Sequence, residues 1–203
     1  MAPAVAFPIA GAPLSLNAIT ERTENGVPTP SRKVTTFYRD RAGRLRIEGD
    51  LPGFNGGGGF IQIVDPAAGF MAVLIVSMKS AHRMTFPAGT SSVGFPSWVG
   101  DDEFMTLEGK RTSKAEPLGK RTIGDIEFEG HLTTITVETE PIVTGTDERW
   151  YSKELALFGL QVFSALGVKT TITIENVVRK EPDASLFVIP PDYSIEEFDA
   201  PQK

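Results

Sequence analysis

Cysteine is absent from the 203 residues, which excludes disulfides, thiolate metal sites and cysteine nucleophiles together. The absence does not fix a compartment. Histidine is scarce: His82 and His131 are the only two, too few and too separated for a His-rich metal site, so no metal and no cofactor is expected. No stretch reaches the about 20 apolar residues that span a bilayer as a helix, so the chain is not expected to span a membrane. An excess of positive charge is missing as well, since 20 Lys and Arg stand against 26 Asp and Glu, a net charge of -6. Nucleic-acid binding needs clustered cations against phosphates and is not expected. The same balance disfavours docking on an anionic membrane surface. The opening MAPAVAFPIAGAPLSL lacks the basic stretch and unbroken apolar core of a signal peptide. A cytosolic protein with a loose start and a mature envelope protein whose signal has been removed both fit it.

What is present reads as one globular domain. Hydrophobic residues make up 40% and charged residues 23%, ordinary for a folded soluble chain. From Leu14 onward the dominant rhythm has period two, the mark of half-buried strands. Leu45 and Ile47 alternate with Arg44, Arg46 and Glu48, and Asp40 to Gly43 supplies the turn from a preceding strand that carries Val34, Thr36 and Tyr38. Phe60 to Val64 reads as a strand, and Asp65 to Gly69 as the next turn. Phe70 to Met78 is almost wholly apolar, which suits a strand covered on both sides. Residues 87–117, punctuated by Gly, Pro and Ser, read mostly as loop. A hairpin follows around Gly124-Asp125, then strands over Leu132 to Glu138, Glu148 to Tyr151 and Val168 to Val178. In the last of these, Val168, Ile172 and Ile174 point inward. Lys153 to Leu166 fits a helix behind Ser152 and equally a bulged strand that turns at Leu166-Gly167. The expected organisation is a flexible segment 1–13, a β domain 14–195 and a tail 196–203.

Chemistry-bearing motifs are weak. The four glycines at 56–59 precede a strand and have no Lys-Ser or Lys-Thr after them, whereas a phosphate loop lies between a strand and a helix. They read as a flexible connector. Ser97 sits in GFPSWVG with its glycines at the wrong offsets for a nucleophile elbow. Asp101-Asp102-Glu103 lacks the spacing of a calcium loop. No pair of carboxylates stands out among 26 acidic residues. The chain is therefore read as not an enzyme.

Six landmarks in order resemble an uncharacterised family of secreted bacterial proteins: TERTENG at 20–26, TTFYRDRAGRLRIEG at 35–49, IQIVDPAAG at 61–69, EPLGKRTIGDIEFEGHLTTITV at 116–137, ERWYSKEL at 148–155 and EPDASLFVIPPDYSI at 181–195. The same succession is similar to outer-membrane lipoprotein-sorting proteins of the LolA/LolB type. The resemblance implies a mainly β fold, a single curved antiparallel sheet forming a half-open barrel with few helices, and it favours a strand hairpin over 153–166. It implies no catalytic residue. By this likeness the chain is expected to be a periplasmic or secreted protein of the bacterial envelope, its signal peptide absent from this chain. Its partners would be an apolar ligand, either a lipid or a lipoprotein acyl chain, or a hydrophobic segment of another envelope protein. The alternative is a structural or regulatory interaction module without a cavity. Phe70, Val73, Ile75, Ile135, Val137 and Trp150 are the expected apolar lining. In the terminal motif, Leu186 and Phe187 are expected to dock the chain end, Pro190-Pro191 to stop the last strand, and Tyr193 to pin the tail.

Overall fold

A computed structural model describes residues 4–6, 12–29, 32–50, 59–86, 92–94, 104 and 106–199. Its strands in chain order are β1 (Ala4–Ala6), β2 (Leu14–Glu24), β3 (Val27–Pro28), β4 (Lys33–Arg39), β5 (Leu45–Asp50), β6 (Gly59–Asp65), β7 (Phe70–Ile75) and β8 (Ser80–Thr85). There follow β9 (Ser92–Gly94), β10 (Lys110–Ile123), β11 (Ile126–Glu138), β12 (Val143–Ser152), β13 (Leu157–Ala165), β14 (Val168–Val178) and β15 (Ser194–Asp199). The protein is thus mainly β. One large, unclosed sheet runs β10-β11-β12-β13-β14-β2-β4-β5-β6-β7-β8-β15, with β3 beside β2, and β1 pairs β9 separately. Described pairings are antiparallel, as the period-two pattern expects, except that β15 runs parallel to β8. Among the described residues no helix is long and apolar enough to cross a membrane.

Turn chemistry explains most of the hairpins. Asn25-Gly26 and Leu166-Gly167 have φ of 50, 80, 52 and 78°, the left-handed pairs that tight two-residue hairpins need. Asp40 accepts the Arg44 backbone N–H at 2.8 Å and its Nε at 2.6 Å, closing the β4–β5 turn by a side chain. Two differences from the sequence reading concern β10 and the contested segment. Residues 110–117, read as loop, belong to a 14-residue strand whose side chains are almost all exposed. No buried stripe exists there to be read. Residues 153–156 form a turn and 157–165 a strand, so the hairpin reading of this stretch holds and the helix does not.

The chain divides into two compact units, one of residues 1–17, 34–95 and 175–203, the other of 18–33 and 96–174. In the first, register places Ile63 beside Ala72, and Leu74 beside Ala81. These four are fully buried, with Ile61, Phe70, Ile189 and Tyr193 packed on them. Residues 181–193 cover this side of the strands as a strap. Arg46 Nη1 donates to the Leu186 carbonyl at 2.8 Å, the Arg44 guanidinium lies 4.9 Å from the Phe187 ring centre, and Phe187 is buried. Tyr193 and Phe187 thus fill the anchoring roles expected of them. Pro190-Pro191 instead precede β15 rather than ending the last strand.

One carboxylate orders the strap internally and a second ties it down. Asp183 accepts the Ser185 N–H at 2.9 Å, capping a short 3-10 turn, and that bond holds its carboxyl below the usual 3.8. Asp192 takes the Lys79 ammonium at 2.7 Å, which lowers the one group and raises the other. Depressed carboxyls contribute above their unfolded pKa, and the contribution vanishes as pH falls through the lower folded value. Strap amides are therefore expected to lose hydrogen-exchange protection below pH 3.8 before those of β6 and β7 do. Exchange that tracks the strands at every pH would contradict this.

In the second unit, Phe104, Val137, Phe163 and Ala165 form a buried cluster with Leu107, Ile135 and Val143 against it. Phe104 and Phe163 meet as tilted rings 5.6 Å apart. A bulge sits in β10 between Pro117 and Gly119, and another where Trp150 pairs Leu160 but Tyr151 pairs Phe158. Such bulges bend a strand and re-aim its side chains.

Candidate functional site

Successive strand residues point to opposite sides of the sheet, so parity sorts the expected apolar lining at once. Phe70 lies with Ala72 and Leu74 on the strap side, half-buried on the core, and Arg83 lies 4.6 Å from its ring centre. Val73 and Ile75 face the other way. There register aligns Leu45, Val64 and Met71 in one row, Ile47, Gln62 and Val73 in the next, and Gly49, Phe60 and Ile75 in the third. This is a three-by-three field across β5, β6 and β7. Ile47 and Val64 are fully buried, Ile75 nearly so, and Val73 is half-buried.

Gln62, at the middle of that field, was not singled out from the sequence. Its side chain is buried. The Nε2 amide meets only the thioether of Met71, at 2.9 Å, and Oε1 has no hydrogen-bond partner among the described residues. An unpaired buried amide costs about 1–3 kcal/mol, so a lone glutamine in the run Ile61-Gln62-Ile63-Val64 was the available signal.

In the second unit, Ile135 and Val137 lie together in the Phe104 cluster. Trp150 faces the opposite side of the sheet. It pairs Gly130 across β11–β12, where Ile135 pairs Gly145, and positions 130 and 135 differ in parity. A Cβ on Gly130 would sit 2.7 Å from the indole, so the ring lies flat on bare backbone. Arg121 lies 3.9 Å from the ring centre and Glu148 accepts the indole N–H. The structure therefore groups Val73 with Ile75, and Ile135 with Val137, and leaves Phe70 and Trp150 each on the other side of their strands.

Of the groups weighed for chemistry, His82 is exposed on β8 with Nδ1 3.4 Å from Glu196, and His131 is exposed on β11. Ser97, Asp101-Asp102-Glu103 and the glycine run at 56–58 lie outside the described residues. Among the described residues, no group of three or more His, Asp or Glu is placed to hold a metal ion.

No family model matches the chain, and no curated protein does. Solved structures similar to it include PNGF-II, with 11% identity and a TM-score of 0.45 over 92% of this chain. The MucA/MucB complex of Pseudomonas aeruginosa shows 8% identity and a TM-score of 0.49 over 93% of this chain. A LolA superfamily protein from Nitrosomonas europaea shows 9% identity and a TM-score of 0.37, covering 91% of this chain and 92% of that one. The chain spans 32% of PNGF-II and 59% of the chain matched in the complex. At these identities a likeness concerns the course of the backbone and carries no side chain across.

Proposed function

We propose that the protein is a non-enzymatic periplasmic or secreted envelope protein that holds an apolar ligand on the side of β5, β6 and β7 away from the strap. The ligand is a lipid, a lipoprotein acyl chain or a hydrophobic segment. The observation that carries this reading is the apolar field around Gln62. The strand β7 is apolar on both sides, and Ile189 and Tyr193 fill one of them. On the other, Met71 and Val73 are half-buried, in register with the buried Ile47, Gln62 and Val64. Each methylene buried contributes about 0.8 kcal/mol, so an acyl chain needs such area more than it needs placed polar groups. The envelope address rests on the motif resemblance in the sequence.

The test is lipid extraction of the purified protein followed by mass spectrometry, joined to displacement of a fluorescent fatty acid. Wild-type protein is expected to release bound lipid and to bind the probe. Val73→Glu, at a half-buried position, is expected to weaken probe binding about tenfold or more, because a carboxylate in an apolar site is strongly disfavoured, with binding compared under conditions where the thermal transition shows the variant folded. No lipid and no probe binding would remove the proposal.

One observation favours the second reading, a protein-interaction module. The strands β10 and β15 end the sheet order, and β10 is exposed along its length. A free edge can take an extended peptide. Pro117 at the β10 bulge confines such pairing to residues 110–116, since proline cannot donate to a ladder. A copurifying protein lost on Ser113→Pro, in lipid-free preparations, would shift the assignment to this reading.

A further inference from the structure

A second candidate site lies in the other unit, on the side of β11 and β12 that carries Phe104. Along these strands register sets Val137 against Val143, Ile135 against Gly145, Thr133 against Asp147, His131 against Arg149 and Glu129 against Tyr151. The surface passes from apolar to polar within one strand length. At the polar end is a depression of about 310 Å³ lined by Glu127, Glu129, Tyr151, Lys153 and Glu154.

Three features mark the surface beside this depression. Phe158 is 40% exposed and stands edge-on to Tyr151, the ring centres 5.3 Å apart, so an aromatic platform borders the polar depression. Arg149 is fixed in place: its Nε and Nη2 both bond Asp147 Oδ2, and its guanidinium lies 5.7 Å from the Phe158 ring centre. Asp147 is 9% exposed, and its second oxygen, Oδ1, is buried without a hydrogen-bond partner among the described residues. A buried carboxylate oxygen left unpaired is costly and rare enough to require a reason.

The charges indicate what the occupant is. Lys153 bonds Glu129 at 2.9 Å, and Lys120 bonds Glu127 at 2.9 Å and approaches Glu129 at 3.5 Å. Those contacts hold Glu129 below its usual pKa, the Lys153 bond being the largest cause, and raise Lys120 above its own. Glu127 and Glu129 are thus each met by an ammonium, and Glu154 is a third carboxylate in the lining. A phosphate would face carboxylates there. A ligand that donates to one group and accepts from the next, while laying an apolar face on a ring, fits both halves of the surface.

We propose that this end of the second unit binds a neutral saccharide. Its hydroxyls engage the Arg149–Asp147 pair and the Tyr151 hydroxyl, and the C–H face of a ring stacks on Phe158. The site is separate from the apolar field of the first unit, so either can fail without the other.

The experiment is NMR titration of the full chain with maltotetraose, cellotetraose and the N-acetylglucosamine tetramer, beside tetragalacturonate and a glucosamine tetramer as charged counterparts. At least one neutral sugar is expected to bind with a Kd of about 1 mM and to shift the amides of β12 and β13. Phe158→Ala is expected to weaken that binding about tenfold, and Tyr151→Phe, which keeps the ring and loses only the hydroxyl, several-fold. Because Phe158 is exposed, its loss should leave the thermal transition in place. Should Phe158→Ala prove unstable, Tyr151→Phe carries the test. No shift at about 10 mM of any neutral sugar would overturn the proposal. So would equal or tighter binding of a charged tetramer, or an affinity that neither variant alters.

Discussion

Phe163→Ala is expected to destabilise the protein by about 3–5 kcal/mol, a drop of about 10 °C in its thermal transition. Phe163 is 2% exposed and meets Phe104, Val137 and Ala165 in a buried cluster at the apolar end of this unit's strands. Its neighbours across the sheet are Asp147 on β12 and Thr170 on β14, both buried and polar, which cannot close over the space a lost ring leaves. The tilted ring contact with Phe104 adds about 0.5–1.5 kcal/mol beyond area. Phe158→Ala, five residues away on the same strand, should cost less than about 1 kcal/mol, because that ring is 40% exposed. Urea unfolding of the two variants side by side checks the pair. Similar losses for both would mean that the Phe104 cluster does not hold this unit together.

The contrast between Phe163 and Phe158 shows what could be read beforehand. The β14 span Val168–Val178 is the strand read from alternation alone, and the β4–β5 turn follows from Asp40 and Gly43. Both are local signals, set by residues within a few positions of one another. Residues 110–117 of the edge strand β10 read as loop because their fold is not local: they are held by backbone pairing to β11, while their own side chains bury almost nothing. The apolar candidates divide the same way. That Phe70 opposes Val73 and Ile75 follows from odd and even spacing and was available in the sequence. That Trp150 opposes Ile135 depends on the β11–β12 register, which no single segment encodes. The polar end of the second unit was invisible for a related reason. Phe158 comes beside Arg149 and Tyr151 only through a bulge, and the bulge turns on one glycine.

That glycine carries the second large effect. Gly159 is the residue left over where Trp150 pairs Leu160 and Tyr151 pairs Phe158, and a Cβ placed on it would come within 2.5 Å of Cζ of Phe128 and closer still to Cε1. Phe128 is 2% exposed, so its ring has no solvent to move into. Gly159→Ala is expected to cost about 3 kcal/mol, the upper range for forcing an atom into a packed core, and Gly159→Val more. Gly119→Ala and Gly124→Ala serve as controls. Both have positive φ, at 85 and 64°, but nothing within 4 Å of an added Cβ, so they should cost only about 1–2 kcal/mol of backbone preference. The cause is separable by a double-mutant cycle. In a Phe128→Leu background the offending ring atoms are gone, and Gly159→Ala should then lose at least about 1 kcal/mol less than in the wild-type chain. Strict additivity of the two substitutions would show that the ring is not what forbids a side chain at this bulge. The placement of Tyr151 and Phe158 beside Arg149 would then need another cause.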